Sequence, residues 1–110
     1  MAEETGGAAP PNKLQYMVVI AGRNMKEQIL SAMSEKGCHV INVFYGKGAV
    51  SADVLKDAMG LVLEENKILI TCLILNTKAE IIFDMLQKDF DFNKPNTGIA
   101  YLIPVEKLLY

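Results

Sequence analysis

Val43-Phe44-Tyr45-Gly46-Lys47-Gly48-Ala49-Val50-Ser51 decides how this chain is divided. A β-branched, aromatic run stops at a Gly-Lys-Gly turn, and a serine follows in position to cap a short helix. Before this stretch the sequence reads as strand, helix, strand. After the short helix it reads as strand, helix, strand again. The stretch is therefore the hinge between two similar halves. Gly46 and Gly48 allow positive φ and a close approach of the backbone to another molecule, and Lys47 places a positive charge between them.

Length and composition bound what the halves can be. The chain has 110 residues, 51% of them apolar and 22% charged, with a formal net charge of -2. This suffices for one domain with one core. The acidic balance argues against sequence-independent nucleic-acid binding, which needs clustered Lys and Arg. The apolar runs are shorter than the roughly 20 residues that cross a bilayer, so no membrane insertion is expected. Met1-Ala2-Glu3-Glu4 does not resemble a secretion signal, and a cytoplasmic location is expected. Cys38 and Cys72 lack a CxxC spacing and read as reduced, packed thiols. Residues 1–12, with Gly6-Gly7-Ala8-Ala9-Pro10-Pro11, read as a flexible tail dispensable for folding. Residues 13–110 read as the domain.

The rest follows in order. Leu14 to Ala21 is apolar at both parities, the mark of a strand covered on both faces. Asn24 and Glu27 form a capping-box pattern, and Met25, Ile29, Ala32 and Met33 form the buried stripe of a first helix that Gly37 ends. His39 to Tyr45 reads as strand two. The lone histidine has no companion ligands for a metal. Asn42 reads either as a buried, hydrogen-bonded amide or as a ligand contact at the sheet edge. Ser51 to Met59 is the short helix. Lys67 to Leu75 is the most strand-like run and reads as a central strand. Thr77 and Glu80 suggest a second capping box, before a stripe of Ile81, Ile82, Met85 and Leu86. Phe90 and Phe92 would anchor that helix's end. Asp91 to Thr97 is a polar loop, and Gly98 opens a last strand over Ile99 to Val105. Pro104 demands that this strand lie at an edge.

The order β-α-β, short helix, β-α-β predicts an α+β, ferredoxin-like βαββαβ sandwich with an extra helix between strands two and three. Right-handed crossovers put both long helices on one face of a four-stranded antiparallel sheet, with strands one and three central. The second face is then apolar but lacks a long helix to cover it. A large bare apolar face is rare on a monomer, so the count predicts an obligate oligomer.

With this order and spacing, the chain resembles the PII nitrogen-regulatory signalling proteins, and specifically their divergent PII-like branch. The resemblance runs from about Leu14 to Lys107. It rests on Gly46-Lys47-Gly48, on Ala32-Met33-Ser34-Glu35-Lys36-Gly37 and on Asn96-Thr97-Gly98-Ile99-Ala100-Tyr101. It implies a homotrimer with sheets facing inward and an effector such as ATP or ADP in the clefts between subunits. It also implies a regulated partner, either an enzyme or a membrane transporter. By position the matching site residues are Asn42, Gly46, Gly48, Asn96, Thr97 and Gly98. Lys47 and Lys94 would add charge, and Ser51 would open a helix N-terminus toward an anion. The chain departs from the family where Ala49 follows the second glycine and where Ile99 stands in place of a phosphate-binding lysine. A smaller anion, another nucleotide or a metabolite is therefore an equal expectation for the effector.

Three rivals share the βαββαβ order. An acylphosphatase-like hydrolase would use Arg23 and Asn42. An ACT-type module would bind an amino acid. A CutA-like protein would be another trimer. No pair of carboxylates and no nucleophile–base set is placed for catalysis, so a binding protein is expected rather than an enzyme.

Overall fold

Ile68, Leu69 and Ile70 are buried side by side, so their strand lies inside the molecule and has cover on both faces. The computed structural model describes residues 13–45, 66–95 and 97–107. Four strands, β1 (Leu14–Gly22), β2 (Ile41–Tyr45), β3 (Lys67–Leu75) and β4 (Gly98–Pro104), alternate with two helices, α1 (Lys26–Glu35) and α2 (Asn76–Phe90). The sheet order is β2-β3-β1-β4 and every pairing is antiparallel. This is the predicted ferredoxin-like sheet, with β1 and β3 central. Pro104 ends an edge strand, where its missing N–H interrupts no ladder.

Alternation along each strand separates two cores. One parity (Met17, Val19, Ala21, Ile68, Ile70, Cys72 and Ile74) packs against Ile29 and Met33 of α1 and Ala79, Ile82, Met85 and Leu86 of α2. The opposite parity forms a smaller cluster on the face away from the helices. There Val18 and Leu69 are buried, flanked by Tyr16, Ile20, Phe44 and Tyr101. Around them Leu73, Leu75, Ile99 and Ile103 keep 40 to 60% of their surface exposed. Burial in this cluster raises the Tyr101 pKa, with the neighbouring Tyr16 adding to the effect.

The helix ends differ from expectation in instructive ways. β1 runs into a 3-10 turn, Arg23–Met25, so α1 begins at Lys26 with Met25 at its N-cap position and no side-chain cap. The Asn24 carboxamide folds back over Gly22 instead of capping the helix. In the second half no loop intervenes. α2 starts at Asn76 with Leu75 at the N-cap position, ahead of the expected Thr77 cap. Asn76 N–H donates to the Lys13 carbonyl at 2.8 Å, and Gln15 Nε2 donates to Asn76 Oδ1 at 3.3 Å, so the helix start is tied to β1.

The end of α1 is as read. Gly37 has φ 94°, its N–H reaches the Ser34 carbonyl, and Cys38 N–H reaches the Met33 carbonyl, each at 3.0 Å. That is the double bond of a Schellman cap, which needs a left-handed residue at Gly37. β2 is two residues shorter than predicted, because residues 38–40 lie outside the ladder. Asn42 is exposed on β2, opposite Thr71, so the buried-amide alternative does not hold. The expected tail, the Ser51–Met59 helix and the Gly46-Lys47-Gly48 turn lie outside the described residues.

Candidate functional site

Antiparallel pairing gathers four strand ends at one end of the sheet. Gly22 closes β1 opposite Lys67, the first residue of β3. Tyr45 closes β2 opposite Ile68, and Gly98 opens β4 opposite Ala21. The two stretches expected to hold an effector thus border the same end, since Gly46 follows Tyr45 and Thr97 precedes Gly98. They do so from opposite edges. Three interstrand steps separate β2 from β4, about 14 Å at ordinary sheet spacing.

A groove of about 640 Å³ opens at this end, lined by Gly22, Arg23, Asn24, Met25, Asn66, Lys67 and Thr97. Arg23 N–H donates to the Asn66 carbonyl at 2.9 Å, which fixes the turn out of β1 against the entry to β3. The Arg23 guanidinium lies 4.8 Å from the centroid of the Tyr45 ring, and Lys26 Nζ lies 5.3 Å from the same ring. A ring face attracts cations, so Tyr45 holds both near the end of β2. A hydrogen bond to Tyr45 raises the Lys26 pKa, with a smaller effect from Glu27. Lys67 adds a cation from the central strand. The arrangement suits an anion: two cationic side chains line the groove beside the amide groups of Asn24 and Asn66.

The predicted site residues distribute unevenly over this geometry. Thr97 lines the groove, and its hydroxyl donates to the Pro95 carbonyl at 3.5 Å. Gly98 stands beside it as the first residue of β4. Lys94 is exposed and lies 3.4 Å from Asp91, so its charge is already partnered. Asn42 lies along β2 on the face opposite Tyr45, away from Arg23, which packs on Tyr45. The pair an acylphosphatase-like reading would use therefore does not converge. Gly46, Lys47, Gly48, Ser51 and Asn96 lie outside the described residues. Arg23 and Lys67 are groove cations that the sequence reading did not propose for an effector. Each sits at a strand boundary, where a cation reads as a solvated residue.

Gly98 has a packing reason for being glycine. A Cβ there would overlap the Phe92 ring, which the chain lays over the strand after leaving α2. Gly98→Ala is expected to cost about 1–3 kcal/mol, the usual range for overpacking. Thermal unfolding checks it, and Phe92→Leu in the same chain should recover part of the loss. Equal melting temperatures for wild type and Gly98→Ala would contradict the contact.

Among the described residues no three metal-ligating side chains cluster, and no helix is long and apolar enough to cross a membrane. No protein-family model and no curated protein matches the sequence. Solved structures do match. A PII-like signalling protein from Thermus thermophilus aligns with a TM-score of 0.61 at 16% identity, over 84% of this chain and 85% of that one. CPII, a nitrogen regulatory PII-like protein from Thiomonas intermedia solved with ADP, AMP and bicarbonate, aligns with a TM-score of 0.61 at 12% identity. That match covers 84% of this chain and 91% of CPII. The apo form of CPII gives 0.60 at 12% identity over 84% and 88%. Strand order, the placement of both helices on one face and these superpositions agree: the chain has the PII-like form of the ferredoxin-like fold.

Proposed function

We propose that this protein is a PII-like signalling protein, not an enzyme, that binds a small anionic effector at the sheet end and regulates a partner enzyme or transporter. The observation that carries the reading is the cationic groove of Arg23 and Lys67 beside Thr97. CPII, with the same fold, is described bound to ADP, AMP and bicarbonate. A nucleotide or a small carboxylate-like anion is accordingly the effector class we assign. The remaining contacts would come from Gly46, Lys47, Gly48, Ser51 and Asn96. Tyr45 and Gly98 lie on opposite edges of the sheet, so two neighbouring chains would bring both stretches to one small effector. The homotrimer we propose supplies them, with the sheet face away from the helices turned inward. The apolar ring of Leu73, Leu75, Ile99 and Ile103 on that face supports it. A cytoplasmic setting and a role in nitrogen metabolism belong to the same proposal.

A thermal-shift comparison of ADP, AMP, ATP and bicarbonate tests the effector. A ligand that binds only the native state at a hundred times its Kd adds about 2.7 kcal/mol of stability. At least one of the four is expected to raise Tm in a concentration-dependent way. Joint Arg23→Ala and Lys67→Ala substitution should weaken that ligand roughly 10- to 100-fold, the value of one or two lost charge-assisted bonds. No shift with any of them at millimolar concentration would remove the effector assignment.

A further inference from the structure

Arg23 has a fixed backbone and a long, exposed side chain. Its N–H donates to the Asn66 carbonyl at 2.9 Å at the start of the 3-10 turn, so its Cα is held beside the groove. The side chain beyond that point is exposed. Among the described residues no carboxylate pairs with it. What it meets is the Tyr45 ring, with the guanidinium carbon 4.8 Å from the centroid. A free arginine samples many rotamers, and ordering it when a ligand arrives costs binding free energy.

Tyr45 is itself anchored. It is the last residue of β2, it is paired with Ile68 of β3, and it packs against the core cluster beneath the helices. The core therefore sets the position of the ring, and the ring sets that of the guanidinium. Lys26 shares the ring at 5.3 Å, but it lies 3.6 Å from the Glu27 carboxylate and does not line the groove. Of the two cations on the ring, Arg23 is the one that borders the groove, where Lys67 also stands. A ring face attracts through its π density, so the contact leaves guanidinium N–H donors for the oxygens of an anion.

We infer, resting on the effector reading of the groove, that Tyr45 is a positioning residue of that site: its ring pre-orders the Arg23 guanidinium for an anion that Tyr45 does not touch. Tyr45 is not among the residues lining the groove, so its effect passes through Arg23, the groove cation it holds. A guanidinium resting on a ring has lost part of its freedom in the free chain, and the anion finds its donors in place. Orientation counts for more at Arg23 than at Lys67. A planar fork matches carboxylate or phosphate oxygens in few orientations, whereas an ammonium is a point charge with rotating donors. The contact needs the ring face and not the hydroxyl, so phenylalanine serves as well.

The test titrates ADP into the full chain by calorimetry at one ionic strength, as wild type, Tyr45→Phe, Tyr45→Leu, Arg23→Ala and the joint Arg23→Ala and Tyr45→Leu variant. Tyr45→Leu should raise the Kd about three- to tenfold, the scale of ordering one long side chain on binding. Tyr45→Phe should stay within about twofold of the wild type, because it keeps the ring. In the Arg23→Ala background Tyr45→Leu should change the Kd by less than about twofold, since nothing is left to position. A residue that only supported the fold would weaken binding alike in both backgrounds. Should Tyr45→Leu not fold, nuclear Overhauser contacts in the wild type decide: the Arg23 side chain should stay against the Tyr45 ring with ADP bound. Loss of those contacts on binding, a Tyr45→Leu Kd equal to that of the wild type, or an equal loss in both backgrounds would each overturn the positioning role and leave the effector reading standing. A wild type that binds no ADP at millimolar concentration would remove both.

Discussion

Ile70→Asp is expected to leave no folded protein. Ile70 is fully buried on the helix-facing side of β3, paired with Val19 in β1 and Val43 in β2. It belongs to the apolar core cluster with Met17, Val19, Ile29, Met33 and Ile82. A carboxylate there would have no partner and would either ionise in a dry core or bind a proton at a cost. Either way the penalty is several kcal/mol, against a total stability of about 5–15 kcal/mol for a domain. Far-ultraviolet circular dichroism should show the loss of the mixed α/β spectrum at 25 °C. A cooperative unfolding transition close to that of the wild type would contradict the assignment of this parity to the core.

Leu73→Asp, three residues on and at the opposite parity, should behave differently. Leu73 faces away from the helices and is 44% exposed in the single chain. Tyr16 and Ile103 complete its row across the sheet. In an isolated chain this aspartate meets water, and the cost to folding is small. If three chains bury this face against one another, the same substitution puts three carboxylates into one apolar interface. The expected result is a folded chain that sediments as a monomer, beside a wild type that sediments as a trimer. A wild-type monomer at micromolar concentration would remove the trimer from the account. A Leu73→Asp trimer of undiminished stability would move the interface off this face.

These two residues also show what the sequence made legible. Lys67 to Leu75 could be placed from its continuous apolar run alone, because only a central strand buries both parities. Its edge neighbours, the sheet order and the role of Pro104 followed from right-handed crossovers. The helix starts were misread because a capping pattern is local, whereas the observed starts depend on tertiary ties. Gln15 bonds Asn76 across 61 positions, and Asn24 folds over Gly22 instead of capping. For Asn42 only the buried-amide alternative fails: its neighbours in sequence are apolar, while its own side chain stands at an exposed edge position. Arg23 and Lys67 were passed over for the opposite reason. Isolated cations at strand boundaries carry no pattern, and only antiparallel pairing brings them to one end of the sheet. Lys94 lies 3.4 Å from the Asp91 carboxylate in an exposed pair, a contact that the residue types alone did not show.

The most direct test of the proposed effector site is a titration of isotope-labelled protein with ADP, followed by amide NMR. Shifts should concentrate at Gly22, Arg23, Asn24, Lys67, Thr97 and Gly98, and should vanish in the joint Arg23→Ala and Lys67→Ala chain. Shifts confined to the other end of the sheet, around Gly37, Val40 and Lys78, would contradict it, as would no shifts at millimolar ADP.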